Sequence, residues 1–143
     1  MLLQVTPELV AKHWEFFAPG IEAANRGVNP NSHFNLNNTL AAIQSEEAQV
    51  WAEQDASGEP AVIVVTTVLS DKLAGTNTLH IHSMFSLKPM SRGVIRDGWA
   101  NLFQFAKSRG CSFITALAVD PNIIKIAGLV GLKEKVKFLS MEI

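Results

Sequence analysis

Tyrosine is absent from the 143 residues, and cysteine occurs once. Without tyrosine no phenol can serve as a general acid. Without a second cysteine, Cys111 cannot close an internal disulfide, which points to a reducing, cytoplasmic compartment. Neither sign of charge is in excess: 12 Lys and Arg stand against 13 Asp and Glu, for a formal net charge of −1. A nucleic-acid partner held through phosphates relies on clustered cations and is therefore unsupported. Long hydrophobic runs are also missing. The most apolar stretch, Ala61 to Leu69, is less than half the length a membrane span needs and is rich in Val and Thr, so it reads as a buried strand and no membrane is expected. Met1-Leu2-Leu3-Gln4 has neither the basic start nor the apolar run of an export signal. No repeat, linker or low-complexity tract divides the chain.

What remains is 48% hydrophobic and 17% charged, enough apolar surface for one core in a single domain spanning residues 1–143. Thr6-Pro7 opens a first helix carrying Leu9, Val10, His13, Trp14 and Phe17, which Pro19-Gly20 should end or kink, with a further turn or two over Ile21 to Arg26. Gly27 to Phe34 reads as a loop, and Asn35 or Asn37 caps a second helix running to about Glu47. Gln49 to Gln54 and Ala61 to Leu69, joined by the turn Ala56-Ser57-Gly58-Glu59-Pro60, read as an antiparallel hairpin, followed by the strand Thr78 to Leu87. From Ser91 to Arg109 an amphipathic helix places Ile95, Trp99, Leu102, Phe103 and Ala106 on one face, and Gly110 caps it. Cys111 to Val119 is a strand, Asp120-Pro121-Asn122 starts a short helix, Gly131 ends it, and Lys135 to Ile143 is a final strand. A helix this long between two strands makes a crossover, so Thr78–Leu87 and Cys111–Val119 should run parallel and splay apart.

This element order resembles that of the GNAT superfamily of acetyl-coenzyme A dependent acyltransferases. Locally, Pro89-Met90-Ser91-Arg92-Gly93 resembles the family's P-x-x-R-G entry to its cofactor loop. Asn122 resembles an Asn at the start of the helix after the fifth strand, and Gly131-Leu132 the Gly-Phe pair before the last strand. The resemblance implies an α/β (α+β) fold, a mixed, mostly antiparallel twisted sheet with helices on both faces. It implies acetyl-CoA as cofactor, with Phe85 and Leu87 pairing their backbone with the pantetheine arm, Arg92, Gly93, Arg96 and Gly98 at the pyrophosphate, and Asn122 on the neighbouring strand end. The family motif [RQ]-x-x-G-x-[GA] is incomplete. Ile95 and Asp97 fall where glycines would let backbone amides approach the phosphates, and Asp97 adds a negative charge there. The family's general-acid tyrosine, four residues before the Gly-Phe pair, aligns with Ala127. These departures point to a divergent member, for example of a phage-associated branch, with weakened or lost catalysis.

Two side chains are candidates for proton transfer. His80 and His82 lie two apart on one strand and so share a face, and His82, nearer the strand's exit, is the candidate general base. Glu53 on the preceding hairpin is a second candidate. The plainer explanation is that both histidines pack under a helix or reach solvent, and that Glu53 is an exposed hairpin residue. Two histidines without a third ligand do not make a metal site. Cys111 reads as a small buried hydrophobe and Ser83 has no base assigned to it. The expected function is direct acetyl transfer to an amine on a small molecule or a protein, with a homodimer compatible with the sequence. The alternative is a non-catalytic GNAT-like module in protein interaction or phage particle assembly, located in the cytoplasm or within a phage particle.

Overall fold

The computed structural model describes residues 1–26, 35–141 and 143. The loop read at Gly27 to Phe34 lies outside the described residues. Its elements in chain order are β1 (Leu2–Val5), α1 (Pro7–Lys12), α2 (Trp14–Asn25), α3 (Leu36–Gln44), β2 (Ala48–Gln54), β3 (Pro60–Asp71), β4 (Thr76–Ser86), α4 (Arg92–Ser108), β5 (Cys111–Ala116) and α5 (Pro121–Leu129). The five strands form one sheet in sequential order, antiparallel from β1 to β4 and parallel between β4 and β5. The crossover through α4 imposes that last direction.

Central strand β3 shows why the sheet is covered on both sides. Val62 and Val64 pack with Leu2, Trp51, Leu79, Ile81, Leu102 and Ala106 on the α4 face, while Ile63 and Val65 pack with Val10, Phe17, Ile21, Ile43 and Val50 on the α1–α3 face. Alternation with both sets apolar is what a strand buried on two faces requires. Turn chemistry fixes the hairpins: Asp55 Oδ1 accepts from the amides of Ser57 and Glu59, and Asp71 Oδ1 from those of Leu73 and Ala74. Lys88 forms ion pairs with Asp55 and Glu59, tying the chain after β4 to the β2–β3 turn.

Several expectations are corrected. The N-terminal helical region breaks at His13, and α2 continues through Pro19. Pro19 costs one backbone hydrogen bond, and Gly20 lets the helix lie directly on the Phe85 ring, where an added Cβ would come within 2.3 Å of a ring carbon. Leu2–Val5, not expected as a strand, pairs with β2. On α4 the buried residues are Gly98, Leu102 and Ala106, with Trp99 and Phe105 beside them. Phe103, expected in the core, is instead 48% exposed, with Lys107 Nζ 5.8 Å from its ring centre. At about 100° per residue Phe103 falls off the buried stripe, whereas Phe105 turns inward onto Trp51, ring centres 4.9 Å apart. The final strand, Lys135 to Ile143, is also absent among the described residues: Val136, Phe138, Leu139 and Met141 are exposed. Val136 and Phe138 would point one way and Leu139 and Met141 would not join them on one face, so no single face is apolar. The neighbouring β5 is itself too exposed to supply a core for it.

Candidate functional site

The site is built where β4 leaves β5. Their parallel pairing ends at Ile81 with Ala116, while β4 runs on to Ser86 still paired with β3. Past Ile81 the β5-facing edge of β4 therefore has no ladder partner among the described residues. Ser83 pairs with Val65 and Ile81 with the next residue, Thr66, so His82 is the extra residue of a β-bulge at this point. Such a bulge re-aims side chains, and here it brings His82 against its neighbour: His82 Nδ1 lies 2.8 Å from Ser83 Oγ. Ser83 is buried and faces α2, where Asn25 Nδ2 donates to Ser83 Oγ at 2.7 Å and to the Ile21 carbonyl at 2.8 Å. His80, on the same strand, has Nδ1 3.1 Å from Thr115 Oγ1.

The chain after β4 enters α4 through Ser91, whose Oγ caps the Val94 amide at 3.2 Å. The first turn of α4 carries no acidic residue. Its free amides and the helix dipole favour an anion there. Arg92 and Arg96, one turn apart and both exposed, line a cavity with Ile95 and with Leu129 and Val130 from the end of α5. The sequence alone does not pair α4 with the end of α5, because the two segments lie far apart along the chain.

Other expected site residues are dispersed. Phe85 presents its ring to α2, and Leu87 donates its amide to the Ala61 carbonyl at 2.8 Å, so Leu87 and, two residues back, Phe85 direct their backbone groups at β3 and not, as expected, at the open edge. Gly93 stands open at the helix start: a Cβ added there would have Ser91 Oγ as its nearest neighbour, at 3.8 Å. Gly98, expected beside the pyrophosphate, is buried with Leu2 3.6 Å from the position of an added Cβ, so it serves core packing. Asn122 is in the first turn of α5, its amide capped by Asp120 Oδ1 at 2.8 Å. Glu53, expected on an exposed hairpin, is 5% exposed, bonded to the Met1 amino group, and paired with Leu2 and Val62 on the α4 face. Ser83 faces the α2 side, so the sheet separates Glu53 from the Ser83–His82 contact.

Burial holds the pKa of both His80 and His82 below the usual imidazole value, and His80 is lowered further by His82. Both rings therefore stay neutral in the folded chain at pH 7. Burial raises the Cys111 thiol. Because the unfolded chain binds protons at about pH 6.5 and the folded chain only below that, stability rises with pH across this window. We expect the denaturant midpoint to fall from pH 7.5 to pH 5, and to fall less in His80→Gln/His82→Gln. An equal fall in both proteins would show that these rings do not set the dependence. Among the described residues no group of His, Cys, Asp and Glu could hold a metal ion, and no helix is long and apolar enough to cross a membrane.

No family model and no curated sequence matches the chain. Solved structures do match it over its whole length. A ribosomal-protein-alanine N-acetyltransferase from Brucella melitensis biovar Abortus 2308 is 12% identical, with a TM-score of 0.71, covering 100% of this chain and 99% of that one. An aminoglycoside acetyltransferase from an uncultured soil metagenomic sample, in complex with sisomicin, is 11% identical, with a TM-score of 0.72 and coverage of 100% and 95%. A predicted acetyltransferase with acetyl-CoA from Clostridium acetobutylicum is 13% identical, with a TM-score of 0.70 and coverage of 99% and 95%. At such identities the likeness is one of architecture: the chain has the GNAT-like fold, a mixed, mostly antiparallel sheet between two helical layers.

Proposed function

We propose that this domain binds acetyl-CoA where β4 parts from β5 and transfers its acetyl group directly to an amine on a small molecule or a protein. The observation that carries this reading is the coincidence of three features: the edge of β4 past Ile81 that β5 does not reach, the N-terminus of α4, and the Arg92/Arg96 cavity beside it. The acetyltransferase folds it matches, one of them solved with acetyl-CoA, support it.

The residues present fit that cofactor. The N–H and C=O groups of Met84 and Ser86, which alternate with those bonded to β3 and lie past the end of β5, would hold the amides of a pantetheine arm, and Arg92 and Arg96 with the first-turn amides of α4 would hold phosphate charge. Asn122 stands at the start of α5 as a further polar contact. When bound, acetyl-CoA supplies an acetyl group activated as a thioester. The protein's work is then to align an amine with it, exclude water, and place a hydrogen-bonding group at the reacting carbonyl. His82 is the titratable side chain at the point where the strands part.

A second reading, a non-catalytic module of the same fold, is favoured by Ile95, Asp97 and Ala127, which replace the family's glycines and its acid. Amide NMR of the isotope-labelled protein titrated with acetyl-CoA separates the two. We expect saturable shifts at residues 82–87 and 92–96; an unchanged spectrum at millimolar ligand would leave the non-catalytic reading.

A further inference from the structure

No described residue after Ala106 is buried, and ten of the 18 exposed large hydrophobic side chains lie beyond Gly110. The apolar surface left in water is thus concentrated at one end of the sheet. There β5 is the edge strand, paired with β4 on one side and with no strand against its outer side among the described residues. Its sequence, Cys-Ser-Phe-Ile-Thr-Ala, carries neither charge nor proline, the usual guards of an open edge. Ile114 and Ala116 turn to the α4 side, which leaves Phe113 on the other, 55% exposed, with Leu117 just beyond at 41%. α5 has no buried residue and does not cover them.

The same chain holds an unpaired strand former. In the segment 135–141, Val136, Phe138, Leu139 and Met141 are exposed, and they fall on both faces of an extended chain. Laid along its own β5, the segment would cover one face at most and leave the other in water. Apolar residues on both faces suit a strand covered on both, as β3 is. We propose that a second copy of this chain provides that cover: two copies exchange the segment 135–141 across a two-fold axis, each adding it antiparallel to the outer edge of the partner's β5. The two bare α1–α3 sides then pack on each other, covering the second face of each exchanged strand. A second copy fits because each chain carries one bare edge and one bare strand, and a two-fold exchange satisfies both in both copies and closes. Charge sets the direction. Lys133, Lys135 and Lys137 lead into the segment with Glu134 as the one acid among them; antiparallel addition lays them toward Asp120 of the partner subunit, whereas parallel addition lays them beside the partner's Lys107 and the partner's Arg109. Covering Phe113, Leu117, Val136, Phe138, Leu139 and Met141 together with the strand backbone removes on the order of 800 Å² per partner from water, the size of a stable interface. The exchange uses the edge of β5 that faces away from β4, so it does not rest on the acetyl-transfer reading.

Sedimentation velocity and amide hydrogen exchange of the full-length protein, each over a dilution series, test the exchange together. We expect a dimer in which the amides of 135–141 are protected, with that protection lost in step with the dimer. Phe138→Pro removes a ladder donor and an interface ring while touching neither core cluster. It should leave the fold intact, weaken the dimer by about tenfold or more, and unprotect 135–141 at concentrations where wild type is dimeric. Leu9→Asp, on α1 and 48% exposed, should leave the dimer unchanged. A monomer at every concentration overturns the second copy as the occupant. Protection of 135–141 that persists in the monomer places the segment on its own β5 and overturns the exchange, as does a dimer in which 135–141 is unprotected. Equal weakening by Phe138→Pro and Leu9→Asp shows non-specific apolar association and also overturns it.

Discussion

Leu102→Ala is expected to cost about 2–5 kcal/mol, because it opens a cavity among well-packed neighbours that can collapse only in part. Leu102 is 4% exposed and joins Leu2, Trp51, Val62, Val64, Leu79, Ile81 and Ala106 between α4 and the sheet. For a domain of this size that loss is a large share of the whole stability. Phe103→Ala, one residue on, should cost about 1 kcal/mol or less, since half of its surface already faces water. The pair is a direct test of the helix phase. Denaturant midpoints in which Phe103→Ala falls as far as Leu102→Ala would place α4 in the wrong rotation against the sheet.

Much of the architecture is legible in the sequence because its signals are local and strong. The Val-rich run that forms β3, the two Asp-centred turns, and a long amphipathic helix between two strands leave few topologies open, and the parallel β4–β5 pair follows from the crossover. Where signals compete, the sequence misleads. Pro19-Gly20 looks like a stop, yet α2 continues because Gly20 gains contact with Phe85, and the actual break at His13 has no sequence signal. The phase of α4 is hard to read since Phe103 and Phe105 are equally apolar and only Trp51, on another element, selects Phe105. Lys135 to Ile143 has strand composition, but pairing also requires a partner edge and one apolar face.

The site is legible in part. Arg92, Gly93 and Arg96 stand at the start of α4 as the motif implies, and Leu129 and Val130 complete the arginines' cavity from an element that no local pattern links to them. The meeting of Asn25, Ser83 and His82 is invisible in the sequence for the same reason: Asn25 and Ser83 are 58 residues apart, and the bulge that turns His82 toward Ser83 arises from the register of β3 against β4. Glu53 reads as an exposed hairpin carboxylate; its burial follows from pairing with β1, a strand too short to be recognised by pattern.

The largest functional effect expected outside the reacting group is that of the two arginines. Both are solvent-exposed, so each charge-assisted contact with phosphate should contribute about 1 kcal/mol, less than a buried one. Their joint removal should leave the fold intact, since neither belongs to either core cluster. Calorimetric titration of acetyl-CoA into wild type and Arg92→Ala/Arg96→Ala, each at two salt concentrations, is the most direct test of cofactor binding at this site. The predicted result is saturable one-to-one binding by wild type, weakened about 30-fold in the double variant, or about 2 kcal/mol, with a shallower salt dependence. No heat of binding in a folded wild-type protein, or equal affinities in the two proteins, would contradict it.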